Sequence, residues 1–563
     1  MAPTDRSSES RIEHFLPIIG WIRRYRRSDL RFDVLAGMTL AAFAVPESLA
    51  YASLAGLQPQ IGLYAGIAAM MTYAIFGSSR FLGVGVTSAL AVLVAGTIGG
   101  IAGGDPGRAA AMTAFATLVA GATAIAGWVG RLGFLANLVS RSVLTGFTTG
   151  AGLYITSTQL AKLFGIESTQ GEFFARLASF ASDVDQTHGP TLGIGCVALA
   201  LLLLGRRFTP QLPNPLIVVA LALAASALLR LDEHGVRVVG AIPSGLPSPA
   251  LPAAALSAWK TLVPLGLSIF VLSYVEGVAA ARSLSAKRGG TVDPNQELLA
   301  NGAANAISGL FQGMPVGGSL TRSTVNLEAG ARTQLSGAVG GALLTLVVAF
   351  IAGAFAVLPE TVLAAVVLVA VADLVDVRAF RGIFTRSKRE FAIACSTGVG
   401  VLLFGMLWGI ILGVALSLLD LLERATFPHT AELGRIPGTD SFGDREGHPA
   451  YRATEGALVV RIDASLIFAN AHAVKESVMK RLHDRTEKVE LLVLDLEASP
   501  LIDLSGADML EQLSAALDGE GVALRIAGAN AFARRLLASA TSGRFRDLAP
   551  GENVERVVNA WRS

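Results

Sequence analysis

The chain carries more apolar segments of bilayer-spanning length than a soluble protein core can use. A helix needs about 17 to 25 mostly apolar residues to cross a bilayer. Such segments recur from about residue 33 to about residue 424 and then stop. Hydrophobic residues make up 52% of the 563 residues and charged residues only 16%, which excludes a water-soluble globule for most of the chain. The sequence therefore predicts a mostly helical, multi-pass membrane protein.

The expected spans form two sets of seven. The first set occupies residues 33–230 and the second residues 260–426, separated by an extracytoplasmic loop, 231–259, that is too rich in proline for a helix. Two halves with an odd number of spans lie in the membrane with opposite orientation, as in inverted-repeat transporters. The expected spans are 33–53, 59–77, 83–100, 107–129, 133–158, 190–205, 212–230, 260–282, 296–313, 317–329, 333–357, 360–376, 389–406 and 408–425.

Basic residues indicate the orientation. The N-terminal segment, 1–32, contains "WIRRYRRSDLR" and has no signal-peptide pattern, so we expect it to stay in the cytoplasm. Counted from there, the even-numbered connections carry the basic runs, Arg206-Arg207, 281–290 and 377–390. Positive charge marks the cytoplasmic side. Both termini are therefore expected in the cytoplasm, and the arginine- and alanine-rich composition favours a bacterial inner membrane.

The remainder of the chain has an ordinary, charged composition. We expect a linker over 427–449 and a small α/β domain over 450–563, because strand-like runs such as "ALVVRIDASLIFA" and "VELLVLDLEA" alternate with a helical pattern. Neither this domain nor the spans show a catalytic motif, so an enzyme is not expected. The two cysteines, Cys196 and Cys395, lie in apolar runs, and no metal or cofactor site is predicted.

The third member of each half is short and begins with glycines. These segments read "FLGVGVTSALAVL" and "VGGSLTRSTVNLEAG". Interrupted segments at matching places in two halves point to a binding site at the bilayer midplane, although glycines also serve close helix packing. A helix N-terminus offers free N–H donors and partial positive charge to an anion. With Ser319, Thr321 and Arg322 at one start and Thr87 and Ser88 at the other, the pattern predicts an anion pocket.

An alternative interpretation assigns Arg322 a structural ion pair with a carboxylate. Two carboxylates are available in the spans, Glu47 and Glu276. A buried carboxylate favours its protonated form, and each proton adds one positive charge to the pocket, so proton and anion binding should favour each other. Proton-anion symport follows. Sodium binding at Glu276, with Ser273 and backbone carbonyls as further ligands, stays open as the alternative to a proton. Glu47 could instead serve only helix packing, and Tyr51 could either line the pocket or pack against neighbouring helices.

Three motifs give the chain a family resemblance. The segments "PESLAYASLAGLQPQIGLYAG" (46–66), "NQELLANGAANAISGLFQGMPVGGSLTRSTVNLEAGARTQLSG" (295–337) and "LPETVLAAVVLVAVADLVD" (358–376) resemble the SulP anion transporters, relatives of the animal solute carriers that include prestin. The resemblance runs from about residue 30 to the C-terminus, and the C-terminal part is similar to a STAS domain, the family's regulatory α/β module.

The resemblance implies a fold of fourteen spans in two inverted seven-helix repeats, with core and gate domains, elevator-like alternating access and a homodimer. It implies an anion site at Glu47, Tyr51, Thr87, Ser88, Thr321 and Arg322, with Glu276 at the coupling-ion position. Three residues depart from the family pattern. Glu47 stands where many members have glutamine, Val86 where many have proline, and Leu504 where anti-sigma antagonists carry a phosphorylated serine.

The motifs "PESLAYA" and "GGSLTRSTVN" look nearer to the sulfate and bicarbonate members of the family. The resemblance therefore favours a transporter of small inorganic oxyanions, and transport of a dicarboxylate stays open. The expected partners are the anion, a proton or a sodium ion, membrane lipid, a second copy of the chain and a cytoplasmic partner of the STAS domain, but no nucleic acid. A nucleobase permease would share the fold without needing Arg322. A membrane-anchored sensor would not maintain polar residues inside its spans.

Overall fold

The computed structural model describes residues 15–137, 140–167, 173–209, 212–240, 245–288, 292–372, 374–540 and 543–563. The first 14 residues of the N-terminal segment and part of the proline-rich loop, residues 241–244, lie outside this range. The chain divides into two compact units, one ending at Ser417 and one beginning at Leu418. The first unit contains almost all of the apolar helices, and the second contains the α/β domain.

Most helices of the first half begin at a proline or at a hydroxyl or carboxylate cap. Asp105, for example, accepts hydrogen bonds from the amides of Gly107 and Arg108 at the start of a helix whose first residue is Pro106, a combination typical of helix N-termini. These helices are α1 (Pro17–Arg23), α2 (Leu30–Leu54), α3 (Pro59–Phe76), α4 (Ser88–Ile101), α5 (Pro106–Val129), α6 (Arg141–Phe164), α7 (Phe173–Asp183), α8 (Gly189–Phe208) and α9 (Asn214–Leu229).

The second half repeats this sequence of elements. Its last helix spans both of the final two predicted segments and bends at Gly405, whose φ of 79° lies in the left-handed region that favours glycine. The helices are α10 (Trp259–Arg288), α11 (Pro294–Leu310), α12 (Leu320–Glu328), α13 (Leu335–Leu346), α14 (Glu360–Ala372), α15 (Val377–Arg386) and α16 (Lys388–Thr426). The structure thus has the fold class predicted from the sequence.

Seven of the described helices are long and apolar enough to cross a membrane, and α4 and α9 are shorter apolar helices. The fifth predicted span is corrected. It was expected over 133–158, but residues Leu132–Asn137 form a 3-10 helix and α6 starts only at Arg141, where Ser140 caps the amide of Val143. Two amphipathic helices, α7 and α15, occupy connections for which no helix was expected.

The two glycine-rich starts pair with each other. Strand β1 (Gly83–Gly85) and strand β2 (Gly317–Ser319) run antiparallel, with Gly83 opposite Ser319 and Gly85 opposite Gly317. Each strand leads directly into a short helix, α4 after β1 and α12 after β2. The matching elements of the two halves therefore enter the protein from opposite directions and meet in one ribbon, as two inverted repeats require.

The membrane helices pack in two groups. In the first group, α11 lies against α5 and α3, and α13 lies against α2 and α3. In the second group, α14 packs on α6 and α8, and α9 packs on α8. Helix α2 also touches α9 and α14, so it lies where the two groups meet. Helix α10 packs on α5 and therefore belongs to the first group. The ribbon belongs to the same group because β1 contacts α3 and β2 contacts α10.

The C-terminal unit is a five-stranded sheet in the order β4-β3-β5-β6-β7. Strands β5, β6 and β7 are parallel, and separate apolar clusters cover the sheet's faces. The elements are β3 (Thr430–Arg435), β4 (Phe442–Asp444), β5 (Ala457–Ile462), α17 (Ala471–His483), β6 (Leu491–Asp495), α18 (Leu504–Gly519), β7 (Ala523–Ala527), α19 (Ala531–Ala540) and α20 (Val554–Arg562).

The linker expected over 427–449 is corrected, because β3 and β4 lie inside it. Strand β3 pairs antiparallel with β5 and buries Ala431 and Leu433 in the sheet. Only these two side chains in "TAELGR" are hydrophobic, so the segment lacks the long apolar run by which β5 and β6 were recognised. The sheet therefore begins about 20 residues before the expected domain start.

Candidate anion site

Both helix starts at the ribbon carry a hydroxyl cap. The Thr87 hydroxyl accepts a hydrogen bond from the amide of Leu90, and the Ser319 hydroxyl accepts one from the amide of Arg322. The remaining first-turn amides of a helix have no partner within the helix. Because β1 and β2 are paired, the N-termini of α4 and α12, with their partial positive charge, lie on neighbouring strands.

Arg322 lies in the first turn of α12 and reaches back along β1. Its side chain is 1% exposed, and its Nη2 donates to Glu47 Oε2 at 2.7 Å and to the carbonyl of Val86 at 2.9 Å. Its Nε and Nη1 are buried and have no hydrogen-bond partner among the described residues. A buried donor without a partner is costly. The guanidinium therefore has donors available for an anionic ligand beside the start of α4.

The glycines of β1 make room for this side chain. A Cβ added at Gly85 would clash with Arg322 Nη1 and lie 3.1 Å from its Cζ, and a Cβ added at Gly83 would lie 3.0 Å from its Cγ. From the sequence, these glycines were expected only to open an interrupted segment that points to a binding site. The structure adds a second reason, since the arginine occupies the space that side chains at Gly83 and Gly85 would need.

Glu47 is the carboxylate that meets Arg322. It lies in α2 directly after Pro46. Its side chain is 12% exposed, so it is slightly accessible to solvent, whereas the Arg322 side chain is fully buried. Proline has no N–H and removes one hydrogen bond from the helix interior. Tyr51 lies one turn later on α2 and is 6% exposed. Arg322 thus forms an ion pair with a carboxylate, as the alternative interpretation expects, but this pair is only one of its two hydrogen-bonded contacts. Its Nε and Nη1 remain available to a ligand.

Glu276 lies on α10 close to the ribbon. The next residue, Gly277, touches the backbone of β2, because a Cβ added at Gly318 would lie 2.7 Å from Gly277 Cα. The Ser273 hydroxyl donates to the carbonyl of Phe270 at 3.2 Å and accepts from Asn301 Nδ2 at 2.9 Å. The side chain considered as a sodium ligand is therefore already engaged on both sides.

The structure brings most of the predicted residues together. Thr87 and Ser88 are each 8% exposed at the start of α4 and follow the carbonyl that Arg322 contacts. Thr321 differs, because it is exposed and successive residues of a helix point about 100° apart. Its side chain and that of buried Arg322 consequently leave α12 in different directions.

Sequence reasoning missed the side chains that hold the ribbon. Asn305 donates to the carbonyl of Val316 and accepts from its amide, fixing the residue before β2. The Ser323 hydroxyl accepts from the amide of Gly83, and Asn326 donates to the carbonyl of Phe81. Ser319, Ser323 and Asn326 recur at helical spacing within "GGSLTRSTVN", and this one-sided polar stripe could have revealed a buried contact.

Asp33 is a further buried polar residue that the sequence did not single out. Its Oδ1 accepts from the amides of Arg332 and Thr333, at 2.7 and 3.0 Å, and its Oδ2 accepts from the hydroxyls of Thr333 and Tyr25. Burial and the Asp33 carboxylate raise the pKa of Tyr25 to about 12, so its phenol remains a donor. Asp33 thereby joins the start of α2, which carries Glu47, to the loop after α12, which carries Arg322.

Comparison with known protein families agrees with this geometry. Residues 30–397 match the sulfate permease family, and residues 448–548 match the STAS domain. A sulfate transporter of Mycobacterium tuberculosis (strain ATCC 25618 / H37Rv), described as probable, is 37% identical over 511 residues, covering 91% of each chain. Sulfate transporter 4.1 of Arabidopsis thaliana, chloroplastic, is 30% identical over 536 residues, covering 92% of this chain and 78% of the relative.

Solved structures share the fold at lower sequence identity. The murine Solute Carrier 26 family member A9 anion transporter is 21% identical, with a TM-score of 0.89 over 100% of this chain and 97% of that one. The transmembrane domain of the cyanobacterial bicarbonate transporter BicA is 22% identical, with a TM-score of 0.61 over 70% of this chain and 98% of that one. The fold of both units is therefore that of this transporter group, and the matching family and relatives are transporters rather than enzymes.

Proposed function

The chain belongs to the sulfate permease family of multi-pass anion transporters, and from that premise we propose that it carries sulfate across the membrane together with protons. Sulfate is preferred to bicarbonate and dicarboxylates because the relatives at 30% identity or more are named sulfate transporters. Those names describe the relatives. The same substrate for this chain is a proposal that rests on the similarity and on the chemistry of its site.

The observation that carries the proposal is the buried guanidinium of Arg322. Its unpartnered Nε and Nη1 lie beside the start of α4, so a tetrahedral oxyanion there could accept from the arginine and from helix-terminal amides. We assign Arg322, Thr87 and Ser88 to anion binding. Glu47 and Tyr51 line the same region from α2, and Thr321 stays a proposed member of the site although it is exposed.

The charges of the site account for proton coupling. Arg322 contributes one positive charge and the two helix N-termini about half a charge each. Ionised Glu47 and Glu276 would cancel this total, leaving little attraction for an anion. Protonation of Glu276 adds one positive charge, so anion binding should tighten as the pH falls, and sulfate should raise the proton affinity of Glu276 by the same factor. The engaged hydroxyl of Ser273 favours a proton over sodium at this position.

We further propose that the two helix groups move against each other during transport. The ribbon, Arg322 and Glu276 all belong to the first group, and α2 lies where the groups meet. Such an arrangement suits an elevator movement in which one group carries the site past the other. The protein is proposed to work as a homodimer in a bacterial inner membrane, with both termini in the cytoplasm and a partner at the STAS domain.

Uptake into proteoliposomes tests this function. Purified protein should accumulate radiolabelled sulfate faster with an inward proton gradient than without one, and an inward sodium gradient at constant pH should have no effect. Glu276→Gln should abolish the proton effect while sulfate binding is retained. Glu233→Gln, a surface residue paired with Arg230, serves as the control and should transport normally. Sodium-dependent uptake at constant pH would overturn proton coupling.

Arg322→Gln tests the anion site itself. We expect sulfate binding at least about tenfold weaker, because a directed positive charge is lost from a buried site. Size-exclusion chromatography and the thermal midpoint should establish that the variant is folded. Unchanged sulfate affinity in a folded variant would mean that Arg322 does not bind the anion and serves only in its ion pair with Glu47.

A further inference from the structure

Helix α15 is a short amphipathic helix between two apolar ones. It covers ten residues, Val377–Arg386, between α14 and α16, and Asp376 caps its start by accepting from the amide of Ala379 at 2.9 Å. At about 100° per residue, Val377, Phe380, Ile383 and Phe384 fall on one side. Arg378, Arg381 and Arg386 fall on the other. The helix is too short to cross a bilayer.

Part of the apolar side is anchored on the protein. Ile383 is buried, and the rings of Phe380 and Phe384 meet Phe391 on α16 at centroid distances of 6.2 and 4.9 Å. The outer part of this side is open, since Val377 is 70% exposed and Phe384 is 52% exposed despite its contact with Phe391. These two residues stand between the anchored edge and the arginines, so α15 shows an apolar edge and a basic edge side by side.

The basic edge of α15 is formed by exposed arginines. Arg378, Arg381 and Arg386 are all exposed, and none of them has an ion pair within the described part of the chain. Lys388 follows directly and is exposed as well. Two carboxylates that flank the helix in the described part of the chain make other contacts, Asp376 as the cap and Glu390 as acceptor from the Ser142 hydroxyl at 2.9 Å. The helix therefore presents a cluster of exposed guanidinium groups that form no ion pair among the described residues.

We propose that α15 lies in the membrane interface and binds anionic phospholipid headgroups. A basic amphipathic helix places its apolar side chains at the boundary of the acyl chains and its charged groups among the headgroups. Arginine pairs well with phosphodiesters, and basic residues near an anionic leaflet attract its lipids. The exposed Val377 and Phe384 select a lipid over a soluble phosphate, because a soluble anion offers nothing apolar to contact. The inference does not depend on which solute is transported.

Lipid quenching of a label on α15 in the full-length protein tests the proposal. In a Cys196→Ser, Cys395→Ser background, a bimane fluorophore is attached through Val377→Cys, and the protein is reconstituted into phosphatidylcholine vesicles. A small, equal fraction of either phosphatidylglycerol or phosphatidylcholine carries brominated acyl chains. We expect brominated phosphatidylglycerol to quench at least about threefold more strongly, since one basic residue near the surface enriches anionic lipid about fivefold.

Two charge-matched variants identify the source of the preference. Replacing Arg378, Arg381 and Arg386 by glutamine should lower the quenching ratio to what Lys388 and its neighbour alone sustain. Replacing the exposed Arg525, Arg535 and Arg546 of the C-terminal unit should leave it unchanged. In the parent, high salt should lower the ratio, whereas millimolar inorganic phosphate should not. Equal quenching by both lipids in the parent, no quenching by either, or an undiminished preference in the α15 variant would overturn the proposal.

Discussion

At the scale of single residues, Arg322 determines the chemistry of the site. A buried guanidinium is stable only when its charge and its donors are compensated. Glu47 supplies the charge and Val86 a carbonyl, and both contacts are made by Nη2 alone. Glycines at positions 83 and 85 let the side chain lie flat along β1. The residues around Arg322 therefore hold it firmly at one nitrogen while leaving two nitrogens for a ligand.

The room left by Gly85 can be tested by substitution. In Gly85→Ala, the added methyl group would clash with Arg322 Nη1 and force the guanidinium to move. We expect sulfate affinity to fall by about tenfold or more, which corresponds to about 1.4 kcal/mol, measured as equilibrium binding to the purified protein. Gly100→Ala in α4 is the matched control, because nothing lies within 4 Å of its added Cβ. Equal affinities of the two variants would exclude a role for the close contact.

The charge of Glu47 offers a second prediction at this scale. Glu47→Gln keeps an oxygen acceptor for Arg322 Nη2 and removes one negative charge beside the site. Sulfate affinity at pH 8 should rise by about fivefold or more. The reason is that one negative charge close to a bound anion weakens its binding by at least about 1 kcal/mol. Weaker sulfate binding by this variant would mean that Glu47 serves the anion directly rather than opposing it.

At the scale of elements, the paired strands and their helices show what the sequence can and cannot reveal. Glycines followed by hydroxyl residues predicted two helix starts, and Thr87 and Ser319 are indeed the caps. The antiparallel pairing of β1 with β2 was not predicted. Three-residue strands have no readable alternation of apolar and polar side chains. Their partner lies in the other half of the chain, so no local signal identifies it.

Asp33 supplies a prediction about how elements are held. Asp33→Asn replaces a carboxylate that accepts from two amides and two hydroxyls by an amide that can satisfy fewer of them. We expect a loss of about 2 kcal/mol or more, seen as a lower thermal midpoint of the detergent-solubilised protein, and a higher KM for sulfate. Asp232→Asn, at an exposed loop carboxylate, should change neither quantity. A midpoint equal to that of the parent would show that α2 is held by packing alone.

At the scale of the whole molecule, the chain combines two units with separate apolar cores. The repeated order of apolar segments in the two halves follows from hydropathy. The start of the STAS domain cannot be read from hydropathy, because β3 has only two hydrophobic side chains and they become buried only by pairing with β5. Helix α15 was likewise seen only as a basic connection. Its amphipathic pattern covers too few residues to stand out beside the spans.

The start of the C-terminal unit can be tested with two fragments. Residues 428–563 include β3, whose Ala431 and Leu433 are buried and whose Glu432 accepts from Arg485 at 2.6 Å. This fragment should unfold cooperatively in circular dichroism. Residues 450–563 lack β3 and β4 and should lose about 2 to 4 kcal/mol from the missing apolar burial. Equal melting midpoints of the two fragments would mean that β3 and β4 are accessory.

The most direct test of the account is the position of selenate, which has the charge and shape of sulfate and gives an anomalous signal. In crystals of the full-length protein with selenate at low pH, we expect one peak about 4 Å from Arg322 Nη1 or Nε, next to the first-turn amides of α4. A peak remote from Arg322 and from both helix starts, with the guanidinium making only its contacts to Glu47 and Val86, would contradict the account.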